Sequence, residues 1–210
     1  MNLPNKLTVT RLVMTPFFFL VFFLIDLVPS LNPTVYIIAM FLMYGIMELT
    51  DLLDGKIARK DKLVTDLGKV LDPFADVICH LTFFTCLLSC NIMPVWAFIL
   101  ILWREFSQSF TRMLMMGKGK AMAANIFGKA KTCLYALTCI CGFIYRACQI
   151  LVIKIPTPAN PASPISPTFL STFGTILTVL FALAAFSSVM SYLIYIRTII
   201  KDKTLSSMTR

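Results

Sequence analysis

The chain has 210 residues, of which 58% are hydrophobic and only 14% charged, and its mean hydropathy is +0.83. That composition excludes an ordinary soluble domain and indicates a membrane protein. The formal charge of +9, on so apolar a chain, suits anionic headgroups and phosphate-bearing substrates rather than nucleic acid.

In chain order, the residues up to Arg11 place a cap before an amphipathic turn with Lys6 and Arg11, expected as a short N-terminal interfacial helix. A spanning helix needs roughly 20 mostly apolar residues, and six stretches qualify: 12–31, 34–53, 71–91, 93–115, 131–153 and 170–199. The first is too long for the apolar core of a cleavable leader and reads as a span. None alternates as a membrane barrel strand would, and backbone in lipid must satisfy its own hydrogen bonds, so these are helices. The fold expected is all-α, a polytopic bundle of about six transmembrane helices forming a single domain over 1–210.

Basic residues gather at Lys6 and Arg11, in 56–69, in 112–131 and from Arg197 onward, whereas the alternate loops near 32, 92 and 155–168 hold only Lys154, with Arg146 close by. The positive-inside rule puts the basic face in the cytoplasm; a plain orientation signal accounts for these charges as well as a substrate role does. Pro156 to Pro167 contains five prolines among Ser, Thr and Asn and is expected as an exposed loop on the opposite side. Cys79, Cys86, Cys90, Cys133, Cys139, Cys141 and Cys148 are scattered through apolar runs without a CxxC pair, as small core residues rather than disulfides or zinc ligands.

Between the second and third spans lie Asp51, Asp54, Gly55, Ala58 and Arg59, then Gly68, Asp72 and Asp76. On helices, 51, 54, 55 and 58 share one face, and 68, 72 and 76 share another, so the two faces can meet and the four carboxylates converge. Four acids beside a membrane are costly unless something cationic binds there. Oxygen donors without His or Cys favour hard ions, Mg²⁺ or Mn²⁺, and two such ions would clamp a reacting phosphoryl group. Gly55, Ala58 and Gly68 keep their helix faces flat where a nucleotide could approach, although small residues also serve helix packing in membranes.

Asp51-x-x-Asp54-Gly55-x-x-Ala58-Arg59, eight residues, then Gly68-x-x-x-Asp72-x-x-x-Asp76 resembles the complete signature of the CDP-alcohol phosphotransferase family. The resemblance implies a six-helix membrane fold, usually a homodimer, that binds two divalent ions and the CDP moiety at the cytoplasmic interface and releases CMP. It implies that Asp51, Asp54 and Asp72 are metal ligands, that Asp76 is the general base beside the same metals, and that Asp54, Gly55, Ala58, Arg59 and Gly68 meet the nucleotide. A carboxylate among other acids is suited to accept the proton of an attacking alcohol.

Leu3-Pro4-Asn5-Lys6-Leu7-Thr8 with Arg11, Arg104-Glu105-Phe106, and Gly128-Lys129-x-Lys131-Thr132 are similar to the bacterial phosphatidylglycerophosphate synthases within that family. This implies CDP-diacylglycerol as donor and glycerol 3-phosphate as acceptor, in the inner membrane. The acceptor's dianion needs basic donors, for which Arg112, Lys129, Lys131 and Arg59 are available. Val77 and Ser107-Gln108-Ser109 depart from the synthases' usual residues, which leaves siblings that use inositol phosphate, serine, choline or phosphatidylglycerol as alternatives. His80 reads as a core residue without an assigned role. A cation transporter is disfavoured because the acids cluster at one end of the bundle and spans one, five and six carry almost no charge in mid-membrane.

Overall fold

The structure, a computed structural model, describes residues 2–60, 66–116, 126–154 and 166–201; some side chains within its helices, those of Asp54, Ala58, Arg59 and Lys129 among them, lie outside the description. Six helices follow one another: α1 (Leu3–Leu27), α2 (Pro33–Lys60), α3 (Asp66–Ser89), α4 (Val95–Met116), α5 (Ile126–Lys154) and α6 (Pro167–Lys201). There is no strand among the described residues. The expected interfacial helix is not a separate element, because residues 3–11 are the first turns of α1 itself. Pro4 lies in that first turn, where its missing N–H costs nothing.

Local chemistry explains the other boundaries. Thr34 N donates to Asn32 Oδ1 at 2.9 Å ahead of α2, and Phe169 N donates to Ser166 Oγ at 3.1 Å ahead of α6. In both cases a proline follows the capping residue, its fixed φ already helical and its lost donor one of the orphans. α3 closes on Asn91, at φ 57°, with Ile92 N donating to Leu87 O at 2.9 Å. Asn tolerates this left-handed position, which satisfies a terminal carbonyl and turns the chain into α4.

Five segments are long and apolar enough to cross a membrane: Leu3–Leu27, Pro33–Leu53, Val70–Ser89, Ala130–Val152 and Pro167–Arg197. The fourth expected span is the exception, since α4 carries Arg104, Glu105 and Arg112 in 22 residues. It nevertheless packs against α3 and α6, burying Arg104 and Glu105 while Leu100, Trp103, Phe106, Phe110 and Met113 form an exposed apolar face. Similar stripes at helical spacing mark α1 (Val13, Phe17, Leu20, Leu24) and α6 (Ile176, Val179, Leu183, Phe186). In water such stripes would be large apolar patches; against acyl chains they are the outer wall of a multi-pass membrane protein.

Inside, packing rather than hydrophobic transfer must hold the helices together. One ring from each of four helices meets at the centre: Phe18 (α1) lies 4.8 Å from Phe83 (α3) and 5.4 Å from Phe143 (α5), and Tyr44 (α2) lies 5.1 Å from Phe143. Edge and tilted pairs of this kind contribute about 0.5–1.5 kcal/mol each. α5 comes close to α3 at Gly142, where an added Cβ would stand 2.6 Å from Leu87 Cδ1.

The helix ends are ordered by polar contacts. Contacts from Thr8 and Arg11 to the motif bring the start of α1, the end of α2 and the start of α3 to one end. At the other end, Arg146 of α5 donates to both oxygens of Asp26 on α1, at 2.8 and 2.7 Å. The chain therefore runs up and down, as the alternation of basic and neutral loops implied.

Candidate active site

α1 packs against both α2 and α3, and this decides how the motif is assembled. Its buried face runs Pro4, Asn5, Thr8, Arg11, Thr15, Phe18, polar for its first turns and aromatic once it reaches the core. Thr8 Oγ1 donates to Asp72 Oδ1 at 2.7 Å. Arg11 Nη1 donates to Asp51 Oδ1, and Arg11 Nη2 lies 3.1 Å from Asp76 Oδ1. Asp51 of α2 and Asp76 of α3 thus converge on one guanidinium, and it is α1, packed between the two helices, that supplies the contacts. Part of the counter-charge that four acids need is provided by the protein, because Arg11 already pairs with Asp51 and Asp76.

Arg11 is 3% exposed, whereas the side chains of Asp51 and Asp76 are 34% and 46% exposed. The cation is sealed into the bundle and the acids open outward, an arrangement that leaves carboxylate surface for a ligand. Among the described residues, no three His, Cys, Asp or Glu side chains stand together as a finished metal cage. The donor chemistry fits a hard divalent ion all the same: the gathered groups are oxygens only, partly exposed, and two of them already converge on one cation. Gly55 is half-buried on α2 and Gly68 is buried on α3. The nucleotide-side expectations at Asp54, Ala58 and Arg59 fall on side chains outside the described residues.

His80 Nδ1 lies 2.9 Å from the Asp76 backbone carbonyl. A carbonyl oxygen can only accept, so Nδ1 carries the proton; the contact is to the backbone, and the ring otherwise packs near Tyr135 and Phe83. The ring is half-buried against these aromatics, with Nε2 left without a hydrogen-bond partner among the described residues.

A second polar cluster joins α4, α5 and α6. Glu105 Oε1 accepts from Lys131 Nζ at 2.7 Å, Arg104 Nη1 at 2.8 Å and Tyr135 OH at 2.9 Å. Arg104 Nε donates to Ser188 O at 3.1 Å, and Tyr135 OH lies 2.7 Å from Ser188 Oγ. Lys131, expected to face a substrate phosphate, is therefore engaged with Glu105. Arg112 is exposed near the end of α4, close enough to Lys131 for their charges to interact. The remaining acceptor-side expectations, Lys129 and Arg59, lie outside the described side chains. Sequence reasoning missed the partners of Arg11 and Thr8; the available signal was a polar stripe at 8, 11 and 15 on one face of an otherwise apolar span.

An all-helical membrane bundle that gathers aspartates from two helix ends at one face defines a class, and the chain belongs to it: the CDP-alcohol phosphatidyltransferase family model matches residues 1–202. Among curated relatives, the CDP-diacylglycerol–glycerol-3-phosphate 3-phosphatidyltransferase of Treponema pallidum is 43% identical over 110 residues, 52% of this chain and 51% of that protein. Proteins of the same name from Bacillus subtilis and Rickettsia bellii are 34% and 33% identical, each over 62% of this chain and over 70% and 68% of their own lengths. The chain thus spans about half the length of the first of these relatives.

Proposed function

We propose that this protein transfers the phosphatidyl group of CDP-diacylglycerol to glycerol 3-phosphate, giving phosphatidylglycerophosphate and CMP in phospholipid biosynthesis. The observation that carries the transferase reading is the convergence of Asp51 and Asp76, from separate helices, at one open face beside Asp72. The acceptor is supported by the names of the three relatives above and by the Arg104-Glu105 and Lys129-x-Lys131 segments.

In this reading Asp51, Asp54, Asp72 and Asp76 hold two ions, Mg²⁺ or Mn²⁺. When bound, these ions neutralise charge on the pyrophosphate and on the departing CMP. Asp76, the more exposed carboxylate of the Arg11 pair, takes the proton from the acceptor hydroxyl as its oxygen attacks the phosphorus bearing the diacylglycerol. Gly55, Ala58 and Gly68 leave room for the cytidine, and Arg59 meets its phosphates. Arg112, Lys129 and Lys131, with Arg59, attract the acceptor's phosphate dianion. The basic ends lie toward the cytoplasm, so the active site faces the cytoplasmic side of the inner membrane. The enzyme works as a homodimer, the usual assembly implied by the family resemblance.

The test is an acceptor panel: purified protein, CDP-diacylglycerol, and radiolabelled glycerol 3-phosphate, inositol phosphate, serine or choline. Label entering lipid from glycerol 3-phosphate alone supports the assignment. Consumption of serine or choline while glycerol 3-phosphate stays inert would overturn it.

A further inference from the structure

Arg11 is buried and always charged, so it needs anionic partners in place, and it finds them on two different helices, Asp51 of α2 and Asp76 of α3. Its own position is fixed from below. Thr15 Oγ1 donates to the Arg11 carbonyl at 2.9 Å, and Phe18, two turns on, is fully buried in the ring cluster shared with α3 and α5. One helical turn before Arg11, Thr8 bonds Asp72. A single face of α1 therefore touches Asp51, Asp72 and Asp76, and the guanidinium touches oxygens that a hard cation would seek.

We propose that Arg11 is a positioning residue and resident counter-cation of this site, holding Asp51 and Asp76 together from α1 and competing with divalent ions for the same carboxylates. The inference rests on the metal-site reading given above. One guanidinium among four carboxylates relieves their mutual repulsion while no ion is bound, and the same charge weakens the attraction for an ion that arrives. Its removal has opposite effects on the two states: the ion-free protein loses a clamp, and the ion-binding protein loses a repulsion.

The full chain is purified in detergent, Mn²⁺ affinity is measured by electron paramagnetic resonance titration, and thermal unfolding is followed in EDTA and in Mn²⁺. Arg11→Gln is expected to bind Mn²⁺ about tenfold more tightly than wild type, a small share of the coulombic repulsion between a monovalent and a divalent cation at close range. It should unfold earlier than wild type in EDTA, with Mn²⁺ restoring most of the loss. Arg11→Lys keeps the charge but cannot span two carboxylates with a planar fork; its affinity should fall between the two, about threefold tighter than wild type, and it carries the test if Arg11→Gln does not insert. Unchanged or weaker Mn²⁺ binding in the variants, with equal losses of stability in EDTA and Mn²⁺, would reduce Arg11 to a packing role and overturn the inference. Wild type that binds no Mn²⁺ would instead overturn the metal-site reading, and this inference with it.

Discussion

Glu105 accepts from the buried Arg104, the largely buried Lys131 and Tyr135, and Glu105→Gln removes its charge while keeping its shape. Arg104 and Lys131 would then face one another across a neutral amide, with burial still denying them water. Removing one partner of a buried ion pair costs about 3–5 kcal/mol, mainly through the charge left uncompensated. For a chain of this size that corresponds to a fall of about 6–20 °C in Tm. Tyr135→Phe gives the scale of a neutral contact, because it deletes hydrogen bonds to Glu105 and Ser188 and leaves the charges paired; about 0.6 kcal/mol is typical within a membrane bundle. Thermal unfolding in detergent measures both variants, and a cycle with Lys131→Met isolates the pair. The double variant should lose clearly less than the sum of the single ones. If Glu105→Gln unfolds within about 2 °C of wild type, or if the two losses simply add, the cluster is not an energetic clamp on α4, α5 and α6.

Gly142→Ala would drive its new Cβ to 2.6 Å from Leu87 Cδ1, itself fully buried, and should cost about 1–3 kcal/mol by overpacking. Gly45→Ala meets nothing within 4 Å and should stabilise by about 0.5–1 kcal/mol through helix propensity; the same unfolding assay compares them, and equal effects would contradict the α3–α5 contact. Arg112→Ala should raise KM for glycerol 3-phosphate about tenfold or more, as loss of a charge-assisted partner does, with KM for CDP-diacylglycerol nearly unchanged; a fall in kcat alone would move Arg112 out of ground-state binding. Single cysteines introduced on a cysteine-free background at 60–66 and 116–126 should be labelled from the cytoplasmic side, and those at 157–167 from the other. The reverse pattern would invert the orientation.

The apolar runs made the bundle legible, because a helix in lipid must be long and apolar whatever its neighbours. The ends were less so. α2 runs on to Lys60, beyond the apolar run expected to end near 53, because its motif is helical but polar and hydropathy alone stops too early. Residues 3–11 looked interfacial because Lys6 and Arg11 are charged; they belong to α1 because Arg11 and Thr8 turn inward to acids 40 and 64 residues away, a pairing no local pattern encodes. The convergence of 51 with 72 and 76 could be read from helical spacing, whereas the helix that bridges them could not. Lys131 looked like a phosphate donor for the same reason: a basic residue at a span's end carries no mark of the carboxylate on another helix that claims it.

The central claim is that the clustered aspartates run a metal-assisted phosphatidyl transfer, and release of CMP from CDP-diacylglycerol plus glycerol 3-phosphate tests it most directly. With Asp51→Asn, Asp54→Asn, Asp72→Asn and Asp76→Asn assayed one at a time in membrane-inserted protein, each should abolish CMP release; wild-type activity should vanish in EDTA and return with Mg²⁺ or Mn²⁺. Full activity in any two of the four variants, or turnover indifferent to EDTA, would contradict the account.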